Sequence, residues 1–122
     1  DMTSSAKSRV LSLSVSALPD ALDRFEAAWH LATGRTLPAV ERLSFADLPL
    51  LLKSLSPARW QLLALLRKEG PMSVRALAKR LGRDYKNVHT DVAQLTGLRL
   101  IERTGQALVR VPWDALRADL RL

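Results

Sequence analysis

A run of polar side chains in the second half of the chain has the residue types that recognise base edges. Apolar Val88, Val92 and Leu95 recur at spacings of three and four, which predicts a helix with one buried stripe. Off that stripe the helix presents Tyr85, Lys86, Asn87, His89 and Thr90. An asparagine can form two hydrogen bonds with adenine, a lysine can donate to guanine, and a threonine methyl can contact thymine. The pattern indicates a nucleic-acid interface.

A second predicted helix precedes this one and must position it. Ser73 is expected to cap a helix over residues 74–81, and Asp84 to cap the polar one, because both side chains accept backbone N–H groups. Gly82 and Arg83 form the short connection between the two helices. Two helices joined by a tight turn are the layout of a helix-turn-helix, whose second helix enters a DNA major groove.

Further elements on either side complete the predicted fold. Ser56 followed by Pro57 is typical of a helix start, and that helix should run to about Lys68. A strand beginning at Leu100, a turn over residues 104–106 and a returning strand over residues 107–111 predict a two-stranded wing. The expected fold class is mainly α with a small β component, a winged helix-turn-helix domain preceded by a strand-helix extension.

The N-terminal part is predicted to contain its own elements. Residues 9–16 alternate apolar and polar side chains and indicate a strand, residues 17–32 a helix, 42–45 a short strand and 46–54 a short helix. Asp114 is expected to cap a last amphipathic segment that holds Leu116 and Leu120. The predicted division is a disordered tail over residues 1–8, an extension for dimerisation or partner binding over 9–54, and the winged domain over 55–122.

The net charge of +7 is unevenly distributed along the chain. Residues 1–56 hold six basic and six acidic side chains, whereas residues 57–122 hold thirteen basic and six acidic ones. The excess therefore coincides with the helix-turn-helix, which favours a polyanionic partner over a merely solvated surface. Absence of cysteine and of an apolar run long enough to span a bilayer fits a cytoplasmic protein.

Basic residues around the predicted second helix of the helix-turn-helix are candidate phosphate ligands. They are Arg59, Arg75, Lys79, Arg80, Arg83, Arg103 and Arg110. Arg83, in the turn, is the predicted main phosphate clamp, and Arg103 and Arg110 on the wing would reach a minor groove or the backbone. For Lys79 and Arg80, an ordinary surface position explains the sequence as well as a phosphate contact does.

Other chemistry finds little support in the sequence. His30 and His89 are the only histidines and stand without cysteine or paired carboxylates, so we predict no metal site and no cofactor. No serine has an evident base partner, and no glycine-rich phosphate loop is present, so the protein is not expected to be an enzyme. Trp29, Trp60 and Trp113 are most simply core or dimer-interface anchors, the alternative being the lining of an effector pocket.

Two segments carry a resemblance to a known family. They read GPMSVRALAKRLGRDYKNVHTDV over residues 70–92 and VPWD over residues 111–114. The chain resembles, strongly over residues 45–115, a family of small prokaryotic winged helix-turn-helix transcriptional regulators with MarR-like architecture. Many members are encoded beside a small toxin and are regarded as antitoxins. One departure stands out, because Arg99-Leu100 occupies the place of a glycine-leucine step before the wing.

Together these observations predict a sequence-specific DNA-binding repressor that acts as a homodimer. The resemblance further implies an autorepressor and antitoxin with a cognate toxin as partner. The alternative is a winged helix that serves as a protein-protein interaction module, a toxin neutraliser or scaffold, without specific DNA binding. An exposed strand edge around residues 10–15 or the segment around residues 113–120 would form the dimer contact.

Overall fold

The computed structural model describes residues 8–15, 28, 31–32, 41–118 and 120, and shows a mixed α and β architecture. The elements, in chain order, are β1 (Val10–Val15), β2 (Arg42–Phe45), α1 (Leu48–Ser54), α2 (Pro57–Glu69), α3 (Val74–Leu81), α4 (Tyr85–Gly97), β3 (Glu102–Arg103), β4 (Val109–Arg110) and β5 (Ala115–Ala118). Within the described residues, no helix has the length and apolarity needed to cross a bilayer.

Two compact units divide the chain. One comprises Lys53–Asp114 with Ser8 and Arg9, and the other comprises the described residues of Val10–Leu52 and of Ala115–Leu122. The first unit, called the helical unit below, holds α2, α3, α4 and the β3–β4 hairpin. The second, called the sheet unit, holds β1, β2 and β5.

The three predicted helix caps are confirmed in the helical unit. The side chains of Ser56, Ser73 and Asp84 each accept the backbone N–H three residues further on, at 3.3, 3.1 and 3.1 Å. Each of these bonds satisfies a backbone donor that the first turn of a helix would otherwise leave unpaired. The helix starts were predictable because a cap depends only on residues close in sequence.

The turn between α3 and α4 depends on Gly82. This residue has φ +66°, in the left-handed region, and its N–H donates to the carbonyl of Lys79 at 3.2 Å. The N–H of Arg83 donates to the carbonyl of Ala78 at 3.0 Å, which completes a typical helix C-terminus. Glycine tolerates this backbone without strain, so α4 can begin only a few residues after α3 ends.

The core of the helical unit comes from its three helices, from β4 and from the segments that follow α4 and β4. Its buried apolar side chains are Leu62, Leu63, Leu66, Leu77, Ala78, Val88, Val92, Leu95, Leu100, Ile101, Val109 and Trp113. The buried residues of α4, at spacings of four and three, fix which face of this helix is inward. Trp60 is 51% exposed, so it is not a core residue, and its role as a dimer-interface anchor stays a prediction.

The hairpin after α4 is shorter than predicted. Leu100 and Ile101 were expected to begin the first strand, but both donate their N–H groups to the carbonyl of Leu95. They therefore lie in the turn that follows α4, and β3 starts at Glu102. Glu102 pairs with Arg110, and Val109 forms a further bridge with Met72, which precedes α3.

Arg99, which stands where the resembled family has a glycine, has a backbone conformation that favours glycine. Its φ is +68°, a left-handed conformation that side chains with a Cβ rarely adopt. The indole N–H of Trp113 donates to the Arg99 carbonyl at 2.9 Å, and the Arg99 N–H donates to the carbonyl of Thr96 at 3.0 Å. These bonds keep the turn in place despite the arginine.

The sheet unit contains a three-stranded parallel sheet in the order β2-β1-β5. Leu11, Leu13 and Phe45 are buried, and the hydroxyl groups of Ser14 and Ser44 lie 3.0 Å apart across the β1–β2 pair. Because β1 is the central strand, both of its edges are occupied. The prediction that this strand offers a free edge for pairing between chains is therefore wrong.

The segment after Asp114 also differs from the prediction. It forms β5, which pairs with β1 in parallel and places Leu116 opposite Leu11. The pairing partner lies about a hundred residues away, so no local pattern could reveal it. The predicted helix over residues 17–32 falls mostly outside the described residues, although Ala28, Leu31 and Ala32 are helical. Trp29 and His30 also lie outside the described residues. The same holds for the predicted tail, of which only Ser8 is described.

Candidate nucleic-acid interface

The first turns of α4 present a polar outer face. Lys86, Asn87 and Thr90 are exposed, whereas Val88 between them is fully buried. The hydroxyl of Thr90 donates to the carbonyl of Lys86 at 3.0 Å, a bond within the helix that occupies the hydroxyl proton. The ammonium of Lys86 and the amide of Asn87 are thus the groups best suited to hydrogen bonding with base edges.

Three further side chains extend this face toward α3. The Arg75 guanidinium lies over the ring of Tyr85, with its Cζ 4.8 Å from the ring centroid. The Tyr85 ring is 5.8 Å from that of His89, at an interplanar angle of 45°. This stack ties α3 to the start of α4 through a cation–π contact. Together with Lys86, Asn87 and Thr90, these residues form the reading face.

Arg83, the predicted phosphate clamp, is placed differently. Its Nη2 lies 2.8 Å from Oδ2 of Asp91, and its side chain is only 29% exposed. The guanidinium is therefore engaged with α4 and does not lie open to solvent. A cation held by a carboxylate in this way is less available to a phosphate than one that lies open to solvent.

Arg59 shares the same carboxylate. Its Nε donates to Oδ1 of Asp91 at 3.1 Å, and its Nη1 donates to the carbonyl of Ser54 at 3.4 Å. Both Arg59 and Asp91 side chains are 16% exposed. The candidate phosphate ligand at the start of α2 is thus an internal contact that joins α2 to α4.

The two hairpin arginines have different surroundings. Arg110 contacts the carboxylate of Glu102, directly opposite on the other strand, through Nε and Nη2 at 2.6 Å. Arg103 is exposed, and no carboxylate partner for it occurs in the described part of the chain. Of the pair predicted to reach DNA from the wing, Arg103 is the one whose charge remains available.

Every carboxylate of Lys53–Asp114 is already engaged. Glu69 contacts Arg80, Glu102 contacts Arg110, Asp91 binds two arginines and Asp84 caps α4. The fifth, Asp114, contacts Arg67. Among the described residues of this unit, the cations with no carboxylate partner are Lys53, Lys68, Arg75, Lys79, Lys86, Arg99 and Arg103. The reading face thus contains uncompensated positive charge.

Asp114 makes structural contacts where a helix cap was predicted. Its carboxylate accepts the backbone N–H of Arg9 at 2.8 Å and contacts the Arg67 guanidinium. These two contacts, in that order of importance, hold the pKa of Asp114 below its ordinary value of 3.8. Beside it, the Arg9 guanidinium lies over the Trp113 ring, 4.5 Å from its centroid. Trp113 is buried, as predicted for an anchor.

Asp91 is the residue that sequence reasoning missed. It follows Val88 by three positions and precedes Val92, so it lies at the edge of the buried stripe of α4. A carboxylate in such a position needs a cation nearby, because burial of an unpaired charge is costly. That placement was a usable signal, although it could not identify the arginines. In the described part of the chain, no three acidic or histidine side chains come together as metal ligands.

Comparison with known proteins gives a match to a family model. The family model of HVO_A0114 matches residues 54–118, which is more than half of the chain. The chain therefore belongs to the HVO_A0114 family. The match extends from the last residue of α1 to the last residue of β5, and so includes the whole reading face. No curated protein and no solved structure matches the chain.

Proposed function

We propose that the protein is a sequence-specific DNA-binding transcriptional regulator that inserts the start of α4 into a major groove. The observation that carries the proposal is the exposed pair Lys86 and Asn87 in the first turn of a helix whose opposite side is fully buried. In helix-turn-helix proteins, the N-terminal residues of the second helix contact base edges. Both side chains have the donors and acceptors that this contact requires.

The surrounding elements support a winged-helix arrangement. Helices α2, α3 and α4 are followed by the β3–β4 hairpin, the order expected for that fold. Arg75 and Lys79 on α3 and Arg103 on the hairpin lack carboxylate partners in the described residues. We assign these three cations to phosphate contacts, which fix the register of a protein on DNA without reading sequence. A homodimer would then bind two half-sites about one helical turn, roughly 34 Å, apart.

The test is selection of bound duplexes from a random-sequence pool by the full-length protein. The proposal predicts enrichment of a defined motif, and loss of that motif when Lys86 and Asn87 are both replaced by alanine. The double variant Lys53→Ala with Lys68→Ala, which removes two cations outside α3 and α4, should still enrich it. Recovery of an unenriched pool by the wild-type protein would contradict the proposal and favour an interaction module without DNA readout.

The toxin partner implied by the resemblance stays a prediction. A test with fragments divided after residue 56 would separate β5 from β1, its partner in the sheet. Co-purification should therefore use the full chain, with the reading face altered by Lys86→Ala and Asn87→Ala to separate protein contacts from DNA-mediated ones. Retention of the same partner by wild type and variant would support a protein-protein role independent of DNA.

A further inference from the structure

An ion cluster inside the helical unit consists of Arg59, Asp91 and Arg83. Each arginine uses a different oxygen of the one carboxylate, at 3.1 Å for Arg59 and 2.8 Å for Arg83. Arg59 belongs to the first turn of α2, Arg83 to the turn before α4, and Asp91 to the middle of α4. The cluster therefore fixes α4 to α2 and to the turn that precedes α4.

Arg83 has little opportunity to act elsewhere while the cluster is intact. Its Nη1 is buried and has no hydrogen-bond partner among the described residues, so Asp91 is its main polar contact. Release of Arg83 toward a phosphate would remove one of the two cations from a carboxylate that is only 16% exposed. Partly buried ion pairs of this kind are costly to break, because the remaining charge stays desolvated.

The position of Asp91 relates the cluster to the reading face. Asp91 lies four residues after Asn87 and five after Lys86, little more than one helical turn along α4. A helix that is held at this point cannot rotate about its axis without disturbing the cluster. Hydrogen bonding to base edges tolerates displacements of only about 0.5 Å, so rotation of α4 would misplace both side chains.

We propose that Asp91, with Arg59 and Arg83, is a positioning residue for the reading face, and that Arg83 is not a DNA ligand. Sequence preference then depends on three side chains that never contact DNA. The inference rests on the proposed function, since it concerns how the same helix reads a duplex. One consequence is that loss of the Arg83 cation should lower the net charge of the protein without altering the number of phosphates that it neutralises.

The salt dependence of binding measures that number directly. The probe is the duplex enriched by the wild-type protein, with a shuffled duplex of the same composition as reference. The slope of log affinity against log salt changes by about 0.9 for each phosphate that the protein no longer neutralises. Arg83→Gln is the variant of the cluster. Arg80→Gln, which removes the arginine of the exposed Arg80–Glu69 ion pair, is the matched control.

The cluster variants and the control variant have different expected results. Arg83→Gln should keep the wild-type slope and lower the preference for the selected over the shuffled duplex about tenfold or more. Asp91→Asn should lower the preference by a similar factor, and the double variant should lose no more than either single variant, because both residues act through one cluster. Arg80→Gln should leave the preference unchanged. All affinities are compared at a temperature at which circular dichroism shows every variant to be folded.

Other outcomes overturn the inference. A slope for Arg83→Gln that falls by about 0.9 would identify Arg83 as a phosphate ligand. Unchanged preference in folded Arg83→Gln would assign the cluster to stability alone. Should Asp91→Asn not fold, Arg83→Gln retains the Arg59–Asp91 pair and still decides the question. Absence of any enriched duplex would overturn the proposed function itself, and the inference with it, whereas the other two results leave that function standing.

Discussion

Two groups of basic residues in the helical unit differ in what surrounds them. Arg59 and Arg83 share the Asp91 carboxylate and are largely buried. Lys86 and Arg75 are exposed, and neither has a carboxylate partner in the described part of the chain. All four contribute equally to the net charge of the sequence. The charge available to a partner therefore depends on where the few carboxylates lie.

The geometry of α4 accounts for this difference. Val88, Val92 and Leu95 form its buried stripe, and Asp91 lies at the margin of that stripe. Lys86 and Asn87 lie outside it. One helix thus has an apolar side, an ionic margin and a polar outer side, and we expect substitutions on them to have different consequences.

Loss of packing on the apolar side of α4 should disrupt both groups of basic residues, because it destabilises the helix that positions them. Leu95→Ala leaves a cavity in place of a fully buried side chain and should lower the free energy of unfolding by about 2–5 kcal/mol. Gln94→Ala, at the neighbouring exposed position, should change it by less than about 0.5 kcal/mol. Urea unfolding followed by circular dichroism measures both values. Similar stability of the two variants would mean that α4 is not oriented as described.

The ionic margin should be worth more than an exposed ion pair. Asp91→Asn should lower the free energy of unfolding by about 1–3 kcal/mol, because two partly buried arginines lose their common anion. Glu69→Gln breaks the exposed contact with Arg80 and should cost about 0–1 kcal/mol. The same unfolding assay applies, and a larger loss for Glu69→Gln would reverse the ranking.

The outer side should affect DNA binding and leave stability unchanged. Asn87→Ala should weaken binding to the selected duplex by about 1–3 kcal/mol and relax the preference at one base pair. The side-chain amide takes no part in the helix cap, where the backbone N–H of Asn87 is the donor, so the unfolding free energy should stay within about 0.5 kcal/mol. A repeated selection with the variant measures the first effect. An unchanged motif would exclude Asn87 from base readout.

The ends of α3 and α4 permit a finer comparison. Gly82 and Arg99 both have left-handed backbones, with φ +66° and +68°. Arg99→Gly should therefore raise the free energy of unfolding by about 0.5–1 kcal/mol, whereas Gly82→Ala should lower it by about 1 kcal/mol. Thermal unfolding of the two variants beside wild type is sufficient. A loss of stability in Arg99→Gly would show that the arginine side chain contributes contacts that outweigh its backbone strain.

The smallest expected effect is a dependence on pH. Because the pKa of Asp114 is lower in the folded protein, its carboxylate stabilises the fold at neutral pH, and this contribution is lost as pH falls from 3.8 downward. The difference in urea midpoint between wild type and Asp114→Asn should thus be present at about pH 7 and shrink by about pH 3. A difference that stays constant over this range would contradict the assignment.

Local features of the structure were predictable from sequence, and distant ones were not. The caps at Ser56, Ser73 and Asp84 involve bonds over three residues, so the residue types alone indicated them. The Arg59–Asp91 contact joins residues 32 positions apart and depends on how α2 packs against α4. Sequence reasoning therefore identified Arg59 and Arg83 as cations but could not place either of them beside Asp91.

The sheet shows the same limit. The alternation in residues 9–16 predicted a half-buried strand, and the structure has β1 at Val10–Val15 with Leu11 and Leu13 buried. Its two neighbours could not be derived, since strand pairing depends on contacts between distant segments. As a result the strand was expected to have a free edge, and β5 was expected to be a capped amphipathic segment.

The most direct test of the central proposal, that the outer side of α4 reads DNA, is the affinity of wild type for the selected and shuffled duplexes at two salt concentrations. The account predicts that the selected duplex binds at least about a thousandfold more tightly near physiological salt. Both affinities should fall as salt rises, since phosphate contacts contribute to each. Equal affinity for the two duplexes at both salt concentrations would contradict the account, because the charge would then act without base readout.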